Sequence, residues 1–467
     1  MKTRLFQLID TILTLFILGL TMTGCSIQQQ TSDTQKKAPT ISTPGQYAVA
    51  TAHPLATNIG LDILRKGGNA FDAAIAVSAV LAVVEPFGSG LGGGGFWLLH
   101  DSKKQRNIFI DGRETAPSNA SAKMYQVDGA VDRELATNHP LAAAIPGTPA
   151  ALVHMQSRYA RFSLQRLLAP AVKLAEHGFA VSPGYQDAVR IRYDALQKWP
   201  GAQVFLDEGR IPKPSWQLRQ PNLATTLKAI GRAGRAGFYE GAVARNMVNA
   251  VQANGGVWQM QDLAGYQIIE RKPIEFDFQG AHIVSAPLPS SGGLVLGSLF
   301  GQLAATTYDQ QDEFTRRHLY IEALRNSYYQ RAEYLGDSDF TKDDGRWLLE
   351  PGVVQQMAAR ISLKKANSSQ NLKPIAAGTN GTQTTHFSIL DSDGNRVAAT
   401  LSVNLYFGSG FVAGNSGVLL NNEMDDFSAM PGEPNAYGLV GSQANSIEPG
   451  KRPLSSMSPT FIETNDD

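Results

Sequence analysis

The chain has 467 residues, in which 41 Lys and Arg balance 41 Asp and Glu. That length holds a large core, and the even charge excludes a basic nucleic-acid groove or a polybasic membrane patch as its organising feature. A single cysteine excludes an intrachain disulfide framework, and the eight scattered histidines contain no His-Glu-x-x-His pairing, so no metal or cofactor is expected.

The N-terminus reads as a targeting segment over residues 1–25. Lys2 and Arg4 precede an apolar run from Thr11 to Leu20, with Asp10 at its edge. The run is short for a membrane span. It ends in Thr21-Met22-Thr23-Gly24-Cys25-Ser26, small residues before a cysteine in the manner of a bacterial lipobox. Cys25 is therefore the expected lipidation site, and its acyl chains would hold an otherwise soluble protein on the periplasmic side of a bacterial envelope membrane. A secreted protein cut nearby, with an incidental cysteine, is the alternative. Residues 26–45, rich in Gln, Ser, Thr, Lys and Pro, read as a flexible tether.

The folded part is expected to start near Tyr47, with a first region over 46–383. Asn69 is placed to cap a helix running from Ala70 to about Val84, apolar nearly all round and therefore buried. Glu85-Pro86 ends it. The glycines of Gly88–Gly95 follow, then a strand at Phe96–Leu99. This run lacks the Lys-Ser/Thr ending of a phosphate loop and has its helix on the wrong side, so close backbone packing or approach to a ligand is the better reading. Asp111-Gly112-Arg113-Glu114 comes after a second strand. Helices are expected at Leu164–His177 and Asn222–Ala233, and a Gly/Ser turn at Pro289–Gly293.

Lys364 to Gln383 is a second polar stretch, and it lies directly before Thr384. A hydroxyl at the start of a strand, just after a segment suited to cleavage, has the layout of an N-terminal nucleophile whose freed α-amine is its base. Thr385–Leu390 and Arg396–Asn404 then alternate as two strands around Asp391–Asn395. A loop centred on Asp393 sets Thr384 opposite Ser402 and puts Thr400, Ser402 and Asn404 on one face, whereas a two-residue turn shifts the pairing by one and flips the faces. An ordinary polar hairpin face is the competing reading. Downstream, Asn421–Asp426 clusters three acids; a turn, a solvated face and a calcium loop compete with a carboxylate site for a substrate ammonium. Arg113 suits a substrate carboxylate, with Ser455 and Ser456 as further donors.

Together these residues resemble the γ-glutamyltranspeptidase family of N-terminal-nucleophile hydrolases. The likeness runs through Gly67–Ala70 and Asp72–Ala74, Leu91–Phe96, Arg113–Pro117, Pro146–Thr148 and Pro289–Gly293, and is densest from Thr384 to Thr460, with Phe407–Gly410, Asn421–Ser428 and Arg452–Met457. It implies an α+β fold, a four-layer αββα sandwich, and self-cleavage between Gln383 and Thr384 into a large subunit and a small one, 384–467, that stay associated. It implies that Thr384 attacks γ-glutamyl donors such as glutathione and passes the acyl group to water, an amino acid or a peptide. Ser402 stands where the family usually has threonine. By position, Arg113, Ser455 and Ser456 would hold the donor α-carboxylate, and Asn404, Glu423 and Asp426 its amine. Pro431–Gly441, with Tyr437, resembles the family's lid loop. The family continues with further strands and a Gly-Gly pair that forms its oxyanion hole; no such pair follows Ser456 before Asp467, so the sandwich is expected to be incomplete at its C-terminal side. Two rival functions remain: an acylase of the same fold with another specificity, such as a cephalosporin-type acylase, and a catalytically inactive envelope lipoprotein.

Overall fold

The structure, a computed structural model, describes residues 45–368 and 383–464. The targeting segment with Cys25, nearly all of the tether and residues 369–382 of the polar stretch lie outside the described residues. All described residues belong to one compact unit, Ile41–Asp467.

Strand β1 is Ala48–Thr51, and helices α1 and α2 are Pro54–Arg65 and Ala70–Val84. Strands β2 and β3 are Gly94–Asp101 and Arg106–Gly112. Helices α3 and α4 are Leu164–His177 and Pro221–Ala233. Strands β4, β5 and β6 are Ile269–Arg271, Ile274–Phe278 and Ala281–Ser285. Helices α5 and α6 are Gly292–Ala304 and Glu313–Tyr334. Strands β7, β8 and β9 are Thr385–Leu390, Arg396–Ser402 and Phe461–Glu463.

Asn69 caps α2 as its sequence suggests. The Asn69 side chain accepts from the Asp72 backbone N–H, and Asp72 returns the bond to the Asn69 N–H, both at 2.9 Å. Every residue of α2 is buried, because it has apolar surface on all sides and other layers to cover it. The helix packs on a six-stranded antiparallel sheet of order β1-β7-β8-β2-β3-β4. Strand alternation splits the core into two. Trp97, Leu99, Phe387, Ile389, Val397 and Leu401 pack with the helices α1–α4. Phe96, Leu98, Phe109 and Ala398 point the other way, onto Val284 and Phe461 of a second sheet of order β9-β6-β5. The far face of that sheet is covered by α5 and α6, through Ile274 against Leu294 and through Leu299, Leu303, Leu319 and Ala323. The order is helices, sheet, sheet, helices, the four layers expected.

The second sheet backs only part of the first. On β7, Phe387 and Ile389 are buried, whereas His386 and Ser388 on the opposite face, and Thr384 just before the strand, are exposed. The catalytic candidates sit at one end of the six-stranded sheet. There Thr385 pairs with Leu401, Ser402 with Gly94, and Gly95 with Gly112.

Candidate active site

The β7–β8 hairpin has the register of a loop centred on Asp393. Its turn is built by Asp391, whose Oδ1 accepts the N–H groups of Asp393 and Asn395 at 2.9 Å each, while Gly394 takes φ +89°. Asp391 Oδ2 also accepts the Ala70 N–H at 2.9 Å, which ties the hairpin to the start of α2. Thr384 therefore faces Ser402, with Oγ1 3.4 Å from the Ser402 Oγ. The Asn404 N–H donates to the Ser402 Oγ at 2.8 Å. Since that oxygen already accepts, its own proton is free to point at Thr384.

The same bond corrects one expectation. The strand does not run to Asn404; it stops at Ser402, and Asn404 turns out of it with φ +70°. Capture of its N–H by the serine hydroxyl draws the backbone into a tight turn in place of another ladder pair. Asn404 still reaches the site, where its Nδ2 donates to the Asn422 carbonyl at 2.9 Å. Gln383, joined to Thr384, is buried, and its Oε1 accepts the Tyr406 N–H at 3.2 Å. On the other face of β7, Thr385 Oγ1 donates to Glu85 Oε2 at 2.7 Å. Burial pushes the Glu85 carboxyl up, against the pull of this bond, which holds the residue after the nucleophile in place.

Arg113 leaves the end of β3 and is 1% exposed. Its Nε donates to the Pro453 carbonyl at 3.1 Å, and its two terminal nitrogens bond Glu423 and Asp426. The three acids of the Asn421–Asp426 cluster thus divide. Glu423 and Asp426 hold Arg113. Asp425 points away, accepting the Ala436 N–H at 2.9 Å and pairing with Arg133 at 3.3 Å, and so anchors the loop 431–441. Burial pushes the Asp425 carboxyl up to about 7. Tyr437, on that loop, donates from its hydroxyl to the Asn404 carbonyl at 2.9 Å.

Glu114 lies under Arg113, 3.6 Å from its guanidinium, with no exposure and no hydrogen-bond partner on either oxygen. Burial first, and then the charge of Glu423, push its carboxyl well above the usual range, against the pull of Arg113. A neutral Glu114 keeps this knot of charge from becoming strongly negative. The glycine run makes room for it. A Cβ on Gly94 would lie 2.7 Å from the Glu114 carboxyl, and one on Gly93 only 2.1 Å from the Ser402 carbonyl oxygen. Close backbone packing, and not phosphate binding, accounts for these glycines.

A cavity of about 500 Å³ brings the candidates together: Arg113, Thr384, Ser402, Asn404, Glu423, Asp426, Tyr437, Ser455 and Ser456 all line it. Ser455 is buried and its Oγ accepts the Met457 N–H at 3.1 Å, whereas Ser456 is exposed, with its Oγ 3.5 Å from that of Ser291. Thr400, Tyr328 and Arg331 line the same cavity and are not among the sequence candidates. Arg331 donates through Nε to Ser291 Oγ at 2.9 Å. On this side of the site the sequence offered the Pro289–Gly293 turn and the Ser455–Ser456 pair. Tyr328 and Arg331 lie on a long polar helix whose pattern does not set them apart.

The family profile described as Gamma-glutamyltranspeptidase matches residues 56–467. The chain is 40% identical over 419 residues to the glutathione hydrolase proenzyme of Pseudomonas sp. (strain A14), covering 89% of this chain and 73% of that one. The crystal structure of Helicobacter pylori γ-glutamyltranspeptidase is similar with a TM-score of 0.67 and 32% identity, over 71% of this chain and 97% of that one. The crystal structure of a cephalosporin acylase from Bacillus halodurans is similar with a TM-score of 0.77 and 27% identity, over 90% of this chain and 76% of that one. With its four-layer sandwich, its threonine at the head of a central strand and this extent of likeness, the chain belongs to the γ-glutamyltranspeptidase family.

Proposed function

We propose that the chain is a proenzyme that cuts itself before Thr384 and then hydrolyses or transfers the γ-glutamyl group of glutathione and related compounds. The observation that carries this reading is the placing of Thr384 and Ser402 in one cavity with a cation and two carboxylates, Arg113, Glu423 and Asp426. Such a set recognises a zwitterion.

In the first step Thr384 Oγ1 attacks the Gln383 carbonyl carbon. The C–N bond breaks as the C–O bond forms, and water then cleaves the ester, leaving a carboxylate on Gln383 and a free amine on Thr384. In each later turnover that amine takes the hydroxyl proton as Oγ1 attacks the γ-carbonyl of the donor, and the proton passes to the departing amine. Ser402 donates toward Oγ1. Water, an amino acid or a peptide then takes the γ-glutamyl group from Thr384. Arg113, Ser455 and Ser456 hold the donor α-carboxylate, Asn404, Glu423 and Asp426 its ammonium, and Tyr437 holds the lid loop over the site.

Mass measurement on the expressed chain tests this: two fragments split before Thr384, absent in Thr384→Ala, with release of glutamate from glutathione. An uncut chain without turnover refutes it. The likeness to a cephalosporin acylase favours a second reading, a same-fold acylase. The acid pair argues for a donor carrying an α-amine, so γ-glutamyl amides should react well ahead of glutaryl amides; the reverse order supports the acylase.

The sequence around Cys25 supports an envelope lipoprotein made with a signal segment, held on the periplasmic side. Cys25→Ser should move the protein from the membrane fraction to the soluble fraction.

A further inference from the structure

The charges lining the cavity are two cations, Arg113 and Arg331, and two acids, Glu423 and Asp426. Each nitrogen of Arg113 already has a partner: one terminal nitrogen meets Glu423, the other Asp426, and Nε a backbone carbonyl. With its two acids it forms a set of net negative charge. A substrate α-carboxylate brought to Arg113 alone would meet that negative field. Arg331 differs. It is 5% exposed, and its Nε is spent on Ser291, but among the described residues it has no carboxylate partner. Unlike the carboxylate oxygens of Glu114, its terminal nitrogens are not sealed off, and the residue lines the cavity.

Counting Arg331, the cavity has two formal positive and two formal negative charges and matches a neutral zwitterion; without it the set is one positive charge short. Its position also fits one end of that ligand. Ser291, which Arg331 holds, donates from Oγ to the Ser455 carbonyl at 2.9 Å and lies 3.5 Å from Ser456 Oγ. These are the serines expected to receive the α-carboxylate. Burial draws the Arg331 guanidinium below its usual range, a cost that a bound anion offsets.

We infer that Arg331 is a second cation for the donor's α-carboxylate, acting beside Arg113 and the Ser455–Ser456 hydroxyls as a specificity-determining residue. The inference rests on the γ-glutamyl reading of this site, but its test needs no turnover. Binding of L-glutamate is compared by calorimetry with binding of 4-aminobutanoate, which lacks the α-carboxylate, and glutarate, which lacks the α-amine. The cut wild-type protein should prefer glutamate to 4-aminobutanoate. Arg331→Gln should shrink that preference by about tenfold or more, the size of one charge-assisted bond, while the preference for glutamate over glutarate stays as in the wild type. Arg331→Lys, which keeps the charge and loses the fork, should fall between.

An Arg331→Gln protein that loses the same factor for glutamate and 4-aminobutanoate, or keeps the wild-type preference, overturns the inference, as does a wild type with no preference to begin with. A wild type that prefers glutamate yet turns over no γ-glutamyl compound refutes the catalytic reading alone. Should the variants not fold, a crystal structure of the unaltered protein with L-glutamate decides. An α-carboxylate oxygen within hydrogen-bond reach of Arg331, about 3 Å, supports the assignment, and one held elsewhere, more than about 5 Å away, rejects it.

Discussion

Ser402→Ala removes one oxygen with two jobs, and the structure separates them. The first is structural: Asn404 is 2% exposed and its N–H donates to that oxygen at 2.8 Å. An orphaned buried N–H costs about 1–3 kcal/mol, which lowers the melting temperature of a chain this size by several degrees at most and leaves it folded. The second is chemical, because the hydroxyl lies where it can donate to Thr384 Oγ1. The 3.4 Å separation is long for such a bond. The loss should therefore stay below the hundred- to thousand-fold typical of a lost oxyanion donor. We expect both self-cleavage and donor turnover to slow about ten- to a hundred-fold, or about 1.4–2.7 kcal/mol of barrier. Cleavage is followed by mass spectrometry over time and turnover by release from a γ-glutamyl anilide, with thermal melting as the fold control. Ser402→Thr, which keeps the hydroxyl, should retain most of both rates. A folded Ser402→Ala protein that cuts and turns over within about twofold of the wild type would show the contact to be idle.

Gly93→Ala should abolish folded protein or strip several kcal/mol of stability, since its Cβ would fall 2.1 Å from the Ser402 carbonyl oxygen and 2.9 Å from Val403 Cγ1; a normal melting curve would contradict the packing argument. Tyr437→Phe loses a bond worth about 1 kcal/mol to the Asn404 carbonyl. Its loop should be nicked faster by protease and KM should rise with little change in kcat, whereas unchanged protease resistance would mean that the tyrosine does not hold the loop. Asp425→Asn should alter the pH dependence of stability. Burial holds this carboxyl up to about 7 in the fold, against about 3.9 unfolded, so the fold keeps a proton that the unfolded chain has shed. Stability from this group is full below about pH 4 and declines toward pH 7, by at most about 4 kcal/mol. The variant's melting temperature should vary less over that window, and an unaltered slope counts against the assignment.

Much of the nucleophile's setting was legible because it is local. The loop around Asp393 fixes a register, and the register decides which residues oppose Thr384. Asn69 and the unbroken apolar run after it announce a buried helix in the same way. What could not be read depends on distant packing. Arg331 sits on a polar helix and looks like any solvated charge until the 289–293 turn and the Ser455–Ser456 segment close over it. Glu114 reads as half of an Arg-Glu pair, and only the stacking of glycine backbone beneath it creates its dry, unpartnered site. The turn at Asn404 follows from one side-chain bond that no alternation of apolar residues encodes.

The strand order has a consequence for the cut protein. With β7 and β8 lying between β1 and β2, the smaller fragment's hairpin has a ladder of the larger fragment on each side. The two pieces are interleaved, like a hand held between two palms. They cannot part by peeling at an edge, so separation and unfolding are one event. Once the bond before Thr384 is gone, that event turns one particle into two. Mass action then governs it: the cut protein should melt higher as it is concentrated, and the uncut Thr384→Ala chain should not.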